Sequence, residues 1–421
     1  MKTITMHSDG TRAGQPETRW DIAVDVGEAA LDWYGEAADK AHKGHLDNRS
    51  EAILACLEHL KAEARRLGFG GVRIICEATG GYERRLLRAA RQLGCATALV
   101  SGEAVHKMQV VENNDTGKSD TKDPRTILLL AKWKKTLTDR PLTGEWLLLR
   151  ELNARYDRLE RDSSQCKNRI HKLLVSTFPD LSFKKDWLFD SRAAQAVVEL
   201  YGLNAAAIIE DGRERFTAKL RRRRVGLKTI GRLWADAQRT QLIPSDPAWL
   251  ALLAEDIRAL FAELAVLRTR RQATREHMIA LVGRLQARGE TRLQAHPDLI
   301  SPFMLARVLA ETGPLSDFAD FRQLWRYGGL NLRPRESGTM KGQPRQAKRG
   351  RARLRHVLAQ AILKRVVHGQ LYGEYYHRKR GAGMCGGKAM TAVARKFLKL
   401  LFGLEHSATA FDPQRVFQSA A

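Results

Sequence analysis

The sequence predicts an α/β domain at the amino terminus, a long helical coiled-coil stalk and a mainly α-helical carboxy-terminal domain. Short apolar runs alternate with helical patterns over residues 20–100, which is typical of an α/β domain. Two heptad series of mostly apolar residues follow, and they are typical of long helices that pack along a seam. We predict a loose tail at 1–18, the α/β domain at 19–140, the helical region at 141–290 and the last domain at 291–421.

The elements of the α/β domain follow from apolar runs and their flanking residues. Strands are predicted at Trp20 to Val26, Leu31 to Tyr34, Val72 to Cys76 and Ala96 to Val100, and helices at Ser50 to Leu67 and Tyr82 to Leu93. Gly94 is placed to end the second helix. The segment from Val105 to Asp115 has little pattern, so we predict a flexible loop there.

The helical region carries two seams with alternating steps of three and four residues. The first seam comprises Leu149, Leu152, Tyr156, Leu159, Ser163, Cys166, Ile170 and Leu173. The second comprises Leu253, Ile257, Leu260, Leu264, Leu267, Arg271, Thr274, Met278, Leu281 and Leu285. They can pack on each other within one chain or against a second subunit, and we favour self-association because exposed seams of this length need a partner. Residues 180–250, between the seams, predict a mostly helical insertion.

The charge of the chain predicts a polyanionic partner. It has 72 Lys and Arg against 47 Asp and Glu, a formal net charge of +25. Basic residues cluster between Arg213 and Arg232 and again between Arg333 and Arg355, where phosphates can bind by releasing counterions. The alternative is a solvated basic face. The predicted nucleic-acid contacts are Lys118, Arg221, Arg222, Arg223, Arg224, Arg333, Arg335, Lys341, Arg345, Lys348, Arg349, Arg351, Arg353 and Arg355.

Composition also bears on the compartment. No apolar run approaches the roughly 20 residues that cross a bilayer, and the polar first 19 residues lack the apolar core of a signal peptide. Five widely spaced cysteines, without a Cys-x-x-Cys pair, argue against a disulfide framework or a zinc site. The sequence therefore predicts free thiols in a reducing, cytoplasmic compartment and no membrane partner.

Four carboxylates are placed where a divalent metal site would need them. Asp25 and Glu77 each come at the end of an apolar strand. Asp120 and Asp123 are three residues apart, which puts them on one face of the first turn of a predicted helix. Clustered acids repel unless a cation lies between them, and oxygen ligands suit Mg²⁺ or Mn²⁺. The alternative is four ordinary surface acids.

Ser337 is a candidate nucleophile in a predicted loop from Gly328 to Gly338. Arg333, Arg335, Lys341 and Arg345 could supply cations to hold a phosphate near its hydroxyl. No neighbouring residue is an obvious base. The alternative is a turn residue, since serine beside glycine is common in turns.

Several of these segments resemble one known family. Ala23–Gly27, Cys76–Glu83 and Lys118–Ile127 resemble the amino-terminal domain of DEDD transposases of the insertion-sequence-110 family. Further matches, in the family's order, are Arg169–Leu174, Phe178–Pro179, Tyr327–Leu330, Ser337–Gly338, Lys348–Arg355 and Ala392–Lys396. The chain departs from the family at His296–Pro302, where members usually carry a Gly-x-Gly turn.

The resemblance implies a DNA transposase or recombinase. It implies a ribonuclease-H/RuvC-like domain with Asp25, Glu77, Asp120 and Asp123 as its metal-binding catalytic acids, and a transposase domain in which Ser337 links covalently to DNA. The cofactor would be Mg²⁺ or Mn²⁺, and the location would be the bacterial cytoplasm, in association with the nucleoid. The partners would be donor and target DNA, a structured bridge RNA that pairs with both, and further copies of this chain in a dimer or tetramer, with acids and serine acting across subunits.

Two other functions remain open at this point. One is a structure-selective nuclease that cleaves Holliday junctions by water attack, with Ser337 as a turn residue. The other is a non-enzymatic scaffold for nucleic acid, with structural acids. A trapped protein–DNA adduct separates transposase from nuclease, and metal-independent binding without cleavage favours the scaffold.

Overall fold

The structure is a computed structural model. It describes residues 18–78, 80–113, 123–183, 185–242, 245–337, 340–368, 371–407 and 409–413, with the backbone alone at 112, 113, 123, 185, 186, 334–337, 340, 341, 343, 344 and 371. The chain divides into two compact units, Met1–Pro141 and Leu142–Ala421. Lys118 and Asp120 lie outside the described residues. The division into four predicted segments stays a prediction.

The first unit is an α/β domain, as predicted. Its strands are β1 (Arg19–Val26), β2 (Ala30–Ala37), β3 (Lys40–Asp47), β4 (Gly71–Glu77), β5 (Ala96–Val100) and β6 (Leu137–Thr138). Its helices are α1 (Ser50–Arg66), α2 (Glu83–Gln92), α3 (Gly102–Asn113) and α4 (Asp123–Lys132). The sheet order is β3-β2-β1-β4-β5-β6, and β4 is parallel to both β1 and β5. The other pairings are antiparallel.

Both faces of this sheet are covered, which explains the continuous apolar runs in β1 and β4. Val24 and Cys76 belong to the core that contains Leu57 of α1 and Leu86 of α2. On the opposite face, Ala23 and Ile75 pack in a second core with Ile127 of α4 and Val105 of α3. Residues two positions after Ala23 and Ile75, at the carboxyl-terminal ends of β1 and β4, project toward this second face.

The prediction of a flexible loop from Val105 to Asp115 was wrong over its described part. Residues 102–113 form α3, and Val105 and Met108 are buried one turn apart against the sheet. Burial against a distant part of the chain, rather than a periodic pattern of its own, forms this helix. Strand β3 was also missed, because its polar residues pair only along one edge of the sheet.

The second unit is mostly helical. Its helices are α5 (Gly144–Thr177), α6 (Lys185–Asp190), α7 (Arg192–Tyr201), α8 (Ala205–Asp211), α9 (Arg213–Arg222), α10 (Leu227–Thr240), α11 (Pro247–Ala287), α12 (Pro302–Thr312), α13 (Phe321–Tyr327), α14 (Ala352–Val367), α15 (Leu371–Gly381) and α16 (Gly386–His406), with a 3-10 turn at Leu315–Asp317. Strands β7 (Leu332–Ser337) and β8 (Met340–Gln346) form an antiparallel hairpin. No helix in the described ranges is long and apolar enough to cross a bilayer.

The two predicted seams lie on α5 and α11, which pack on each other in antiparallel fashion within one chain. Arg284 Nε donates to Glu145 Oε1 at 2.7 Å near one end of the pair, and Cys166 Sγ contacts the Leu260 carbonyl at 3.1 Å toward the other. One half of the pair shares a core with α12, α14 and α16, and the other half shares a core with α6 to α10. A coiled-coil stalk is therefore not confirmed, and the seams do not by themselves require a second subunit.

The predicted loop around Ser337 is a strand over residues 332–337. Leu332 pairs with Gln346, and Ser337 pairs with Met340 at the far end of the hairpin. Charged side chains on a two-stranded ribbon give no apolar alternation, so the sequence pattern did not reveal the strand. Ser337 is thus the last residue of β7.

Candidate active site

Asp25 and Glu77 occupy matching positions on neighbouring parallel strands. The last paired residues in the register are Val24 and Cys76, and each acid is the next residue along its strand. Adjacent strands lie about 4.8 Å apart, and residues at matching positions project to the same face. That face is the one covered by α3 and α4, since Ala23 and Ile75 project there too. The sheet therefore places two half-buried carboxylates side by side.

Helix α3 begins against the Glu77 carboxylate. A Cβ built on Gly102, the first residue of α3, would lie 2.1 Å from Glu77 Oε1 and 3.0 Å from its Cδ. Any other residue at position 102 would force the Glu77 carboxylate to move from where it lies. The amino-terminal end of a helix also attracts negative charge. Gly102 is a site residue that the sequence analysis missed, because only the folded chain brings it next to Glu77.

Helix α4 approaches the same end of the sheet with its first residue. At its other end, Lys132 forms an ion pair with Glu36 of β2, and the hydrogen bond from Lys132 lowers the pKa of the Glu36 carboxyl. Glu36 lies beside the start of β1, because Gly35 pairs with Ile22. The ten residues of α4 span about 15 Å. The part of β1 from its start near Glu36 to Asp25 has a similar length. Helix α4 therefore starts near the end of the sheet at which Asp25 and Glu77 lie.

Of the two acids predicted to begin this helix, Asp123 is its first residue, and the side chain of Asp123 is outside the described atoms. Asp120 falls wholly outside the described residues. The cluster of four acids thus stays a prediction, and the structure brings two of its members together.

Two further polar residues extend the row of acids across the sheet. Asp32 of β2 pairs with Asp25, and His45 of β3 pairs in turn with Asp32. His45 Nδ1 lies 2.8 Å from Asp32 Oδ1, and both side chains are accessible to solvent. Sequence patterns did not identify this pair, because Asp32 and His45 lie opposite each other only through the register of the β2–β3 hairpin, and β3 has no apolar alternation to reveal that register. Three adjacent carboxylates increase the negative potential of this face.

The donor set of this face fits a hard divalent cation. Asp25 and Glu77 offer carboxylate oxygens, which Mg²⁺ and Mn²⁺ prefer over nitrogen or sulfur ligands. Among the residues that the structure describes, no group of three or more His, Cys, Asp or Glu is close enough to hold a metal ion. A complete ligand set would need further oxygen ligands, for which the sequence offers Asp120 and Asp123.

The hairpin that carries Ser337 is anchored at its base by an ion pair with a buried carboxylate. Glu311 of α12 is fully buried, accepts a hydrogen bond from Asn153 Nδ2 at 2.7 Å and pairs with Arg351. The Arg351 amide donates to the Tyr327 carbonyl at 2.8 Å, close to where the first strand of the hairpin begins. The side chain of Ser337 itself is outside the described atoms.

A close backbone approach also fixes the hairpin base. Gly350 has φ +128°, and a Cβ there would lie 2.5 Å from the Tyr327 carbonyl oxygen and 2.6 Å from the Gly329 nitrogen. A residue with a side chain would be both strained and sterically blocked. The segment after β8 can therefore pack directly on the segment before β7.

The predicted nucleic-acid contacts whose side chains are described are of two kinds, those exposed to solvent and those engaged in contacts within the fold. Exposed side chains are Arg221, Arg222, Arg223 and Arg224 at the end of α9, and Arg333, Arg345, Lys348, Arg349 and Arg353 around the hairpin. Of these, Arg223 pairs with Glu199. Arg351 and Arg355 are engaged within the fold, because Arg351 pairs with Glu311 and Arg355 Nη1 donates to the Gly328 carbonyl at 3.0 Å. The side chains of Arg335 and Lys341 are outside the described atoms.

Comparison with known proteins decides the family. Residues 22–179 match the family model DEDD_Tnp_IS110, described as a transposase, and residues 298–377 match the model of the transposase IS116/IS110/IS902 family. The two matches together cover more than half of the chain. The chain belongs to the IS110 family of transposases. The resemblance noted in the sequence is therefore confirmed.

Two individual proteins show how far the likeness extends. The transposase is 27% identical, over 349 residues, to the insertion element IS116 uncharacterized 44.8 kDa protein of Streptomyces clavuligerus, which covers 81% of this chain and 84% of that protein. The structure of T. thermophilus RuvC in complex with a Holliday junction substrate matches 28% of this chain and 98% of its own, with 13% identity and a TM-score of 0.22.

The contact between Gly102 and Glu77 gives a first prediction. Gly102→Ala should push the Glu77 carboxylate away from α3, because the added methyl group would overlap Oε1. We expect DNA strand cleavage to slow by about tenfold or more, since displacing a catalytic group by about 1 Å can cost roughly 100-fold. The measurement is the single-turnover cleavage rate.

Gly71→Ala is the matched control, because Gly71 lies on the same strand as Glu77 and the nearest atom to an added Cβ is 4.0 Å away. Its cleavage rate should equal that of the unaltered protein. Equal rates for both variants would mean that the position of the Glu77 carboxylate does not matter for cleavage.

Proposed function

We propose that this transposase cleaves and exchanges DNA strands by the combined action of its clustered acids and the Ser337 hydroxyl. The observation that carries the proposal is the pairing of β1 with β4, which puts Asp25 beside Glu77 at one end of the sheet. Family membership supports the choice of DNA as substrate. The proposed activity is more specific than that of a general nuclease, because it includes a covalent step on a serine of the second unit.

The acids are proposed to hold Mg²⁺ or Mn²⁺, with Asp25, Glu77, Asp120 and Asp123 as ligands. When bound, such an ion polarises the scissile phosphate and stabilises the leaving oxygen. The task of the protein is to fix the carboxylates in place before DNA arrives. The strand register does this for Asp25 and Glu77, and the first turn of α3 sets the position of the Glu77 carboxylate.

Ser337 is proposed as the nucleophile of the exchange. Its oxygen forms a new bond to phosphorus while the bond from phosphorus to the leaving DNA oxygen breaks. The proton lost by the serine hydroxyl is balanced by the proton that the released DNA hydroxyl gains. The phosphoserine ester conserves the bond energy, so a hydroxyl of a second strand can reverse the step without a nucleotide cofactor.

The partners follow from charge and family. Exposed arginines at the end of α9 and around the hairpin suit the phosphates of donor and target DNA, and of a bridge RNA that pairs with both. A guide RNA would read the sequence by base pairing, so the protein need hold only backbones. The acids and Ser337 belong to different units, and we propose that they act together across the subunits of a dimer or tetramer.

The central test uses two substitutions. Asp25→Asn and Ser337→Ala should each lower recombination by roughly 1000-fold or more, as the loss of a main catalytic group does. DNA binding should change little, and chelation of divalent cations should also stop cleavage. Denaturing gels of the unaltered protein with labelled DNA should show a covalent adduct that is missing with Ser337→Ala.

Asp47→Asn and Ser164→Ala serve as controls, because both residues are exposed, on β3 and on α5. Cleavage without an adduct would favour water attack and the nuclease alternative. Binding without cleavage under any metal or guide would favour the scaffold.

A second experiment tests the guide. Protein freed of RNA should bind DNA with little sequence preference, and recombination should appear when a structured RNA transcribed from the flanking DNA of the element is added. Changing the stretch of that RNA that pairs with the target should redirect insertion to the new complement. Efficient, site-specific recombination by ribonuclease-treated protein would remove the guide from the proposal.

A third experiment tests action across subunits. Asp25→Asn and Ser337→Ala should each be inactive alone, but a mixture can form a composite site from the intact serine of one chain and the intact acids of another. Mixing should therefore restore a measurable fraction of recombination. No restoration, with mixed oligomers demonstrated by differential tagging, would place both elements of a site in one chain.

A further inference from the structure

A large cavity in the second unit lies between the base of the β7–β8 hairpin and the start of α16. Leu332, Arg345 and Gln346 line it from the hairpin, and Met384 and Lys388 line it from the segment around the first turn of α16. Its volume is about 1060 Å³, at the upper end of the range for ligand pockets. It is wide enough to admit part of a polymer as well as a small molecule.

The lining of this cavity is cationic. Arg345 and Lys348 contribute from the hairpin side, and Lys388 and Arg395 contribute from α16. None of the lining residues that the structure describes is acidic. Lys388 and Arg395 are seven residues apart, so they lie on one face of the helix. Four cations that converge on one space favour an anionic ligand with more than one charge.

Arg395 is held in place by its surroundings. Its guanidinium lies 4.3 Å from the ring of Trp325, and Trp325 Nε1 donates to the Arg395 carbonyl at 3.0 Å. Its Nε atom is buried and makes no hydrogen bond within the part of the chain that the structure describes. The stacked guanidinium gives the cavity a fixed positive charge, whereas its Nε hydrogen is shielded from any ligand there.

The cavity also has an apolar wall, formed by Leu332, Met384 and Ala392. Inorganic phosphate would leave this wall unused, whereas a nucleotide can place its base or sugar there and its phosphates against the cations. We propose that the cavity binds a phosphodiester segment of a nucleic-acid strand. The five residue steps from Leu332 to Ser337 span about 17 Å, which about five nucleotides of the same strand, at roughly 3.4 Å each, would bridge to reach the serine.

The proposal deepens the proposed function by naming where the second unit holds a strand, and its test needs no catalysis. The probes are fluorescent single-stranded oligodeoxynucleotide and oligoribonucleotide of the same sequence, titrated with the full-length protein carrying Ser337→Ala. Lys388→Glu and Arg345→Glu should each weaken binding by about tenfold, and each should reduce the salt dependence by about the 0.7 expected for one single-strand phosphate contact.

Arg270→Glu is the matched control, because it makes the same change of charge at an exposed position of α11 that is not among the cavity residues. It should alter affinity by less than about twofold, since distant exposed charges are screened. Equal weakening by the control and the cavity variants would overturn the proposal, and so would tighter binding of an acidic peptide than of either oligonucleotide. A stronger effect on DNA than on RNA, or the reverse, identifies which strand occupies the cavity.

A footprint gives an independent readout. Cys385 is exposed and lines the cavity, whereas Cys76, Cys95 and Cys166 are buried and Cys56 is partly buried. Saturating oligonucleotide should slow the reaction of Cys385 with N-ethylmaleimide several-fold, and Lys388→Glu should remove the protection. Unchanged labelling at saturation would show that the strand binds elsewhere. Protection of Cys385 together with full recombination by Ser337→Ala would support strand binding in the cavity and would contradict the role of Ser337 as nucleophile.

Discussion

The parallel register of β1 with β4 is the constraint on which the candidate site depends. A shift of one residue in either strand would turn Asp25 or Glu77 to the opposite face of the sheet, into the core around α1 and α2. That register is enforced by burial on both faces, because Val24 and Cys76 fill one core and Ala23 and Ile75 fill the other. The same apolar residues that stabilise the domain therefore align its acids.

The sequence predicted those parts of the first unit whose residues carry their own pattern. Buried central strands are continuous apolar runs, so β1, β4 and β5 were located closely, and the acids at the ends of β1 and β4 were recognised as neighbours. Strand β3 and the Asp32–His45 pair were missed because the polar residues of an edge strand show no apolar alternation, and helix α3 was missed because it packs against strands distant in sequence. Gly102 was missed for the same reason, because it matters only through its contact with Glu77.

In the second unit, periodicity identified two long helices but not their partners. A heptad seam indicates an apolar stripe along a helix. The stripes of α5 and α11 pack on each other, and both helices also contribute to two cores with neighbouring helices. The hairpin was mistaken for a loop because a polar two-stranded ribbon has no buried face to impose alternation. Composition gave the basic character of this region, but only the structure separates arginines used for folding from those facing solvent.

The division of the arginines into those used for folding and those that face solvent matters for how a serine on a hairpin can reach a phosphate. Glu311 is fully buried and pairs with the partly buried Arg351, so loss of Arg351 would leave an uncompensated buried charge, which is strongly destabilising. A hairpin base held this firmly keeps its strands in one orientation, while the exposed Arg333 and Arg345 remain available to an anion. Pre-organisation of this kind reduces the entropy lost when a nucleophile meets its target. A firmly held base and a cationic surround are thus complementary requirements of the proposed covalent step. Arg351 serves the first requirement, and the exposed arginines serve the second.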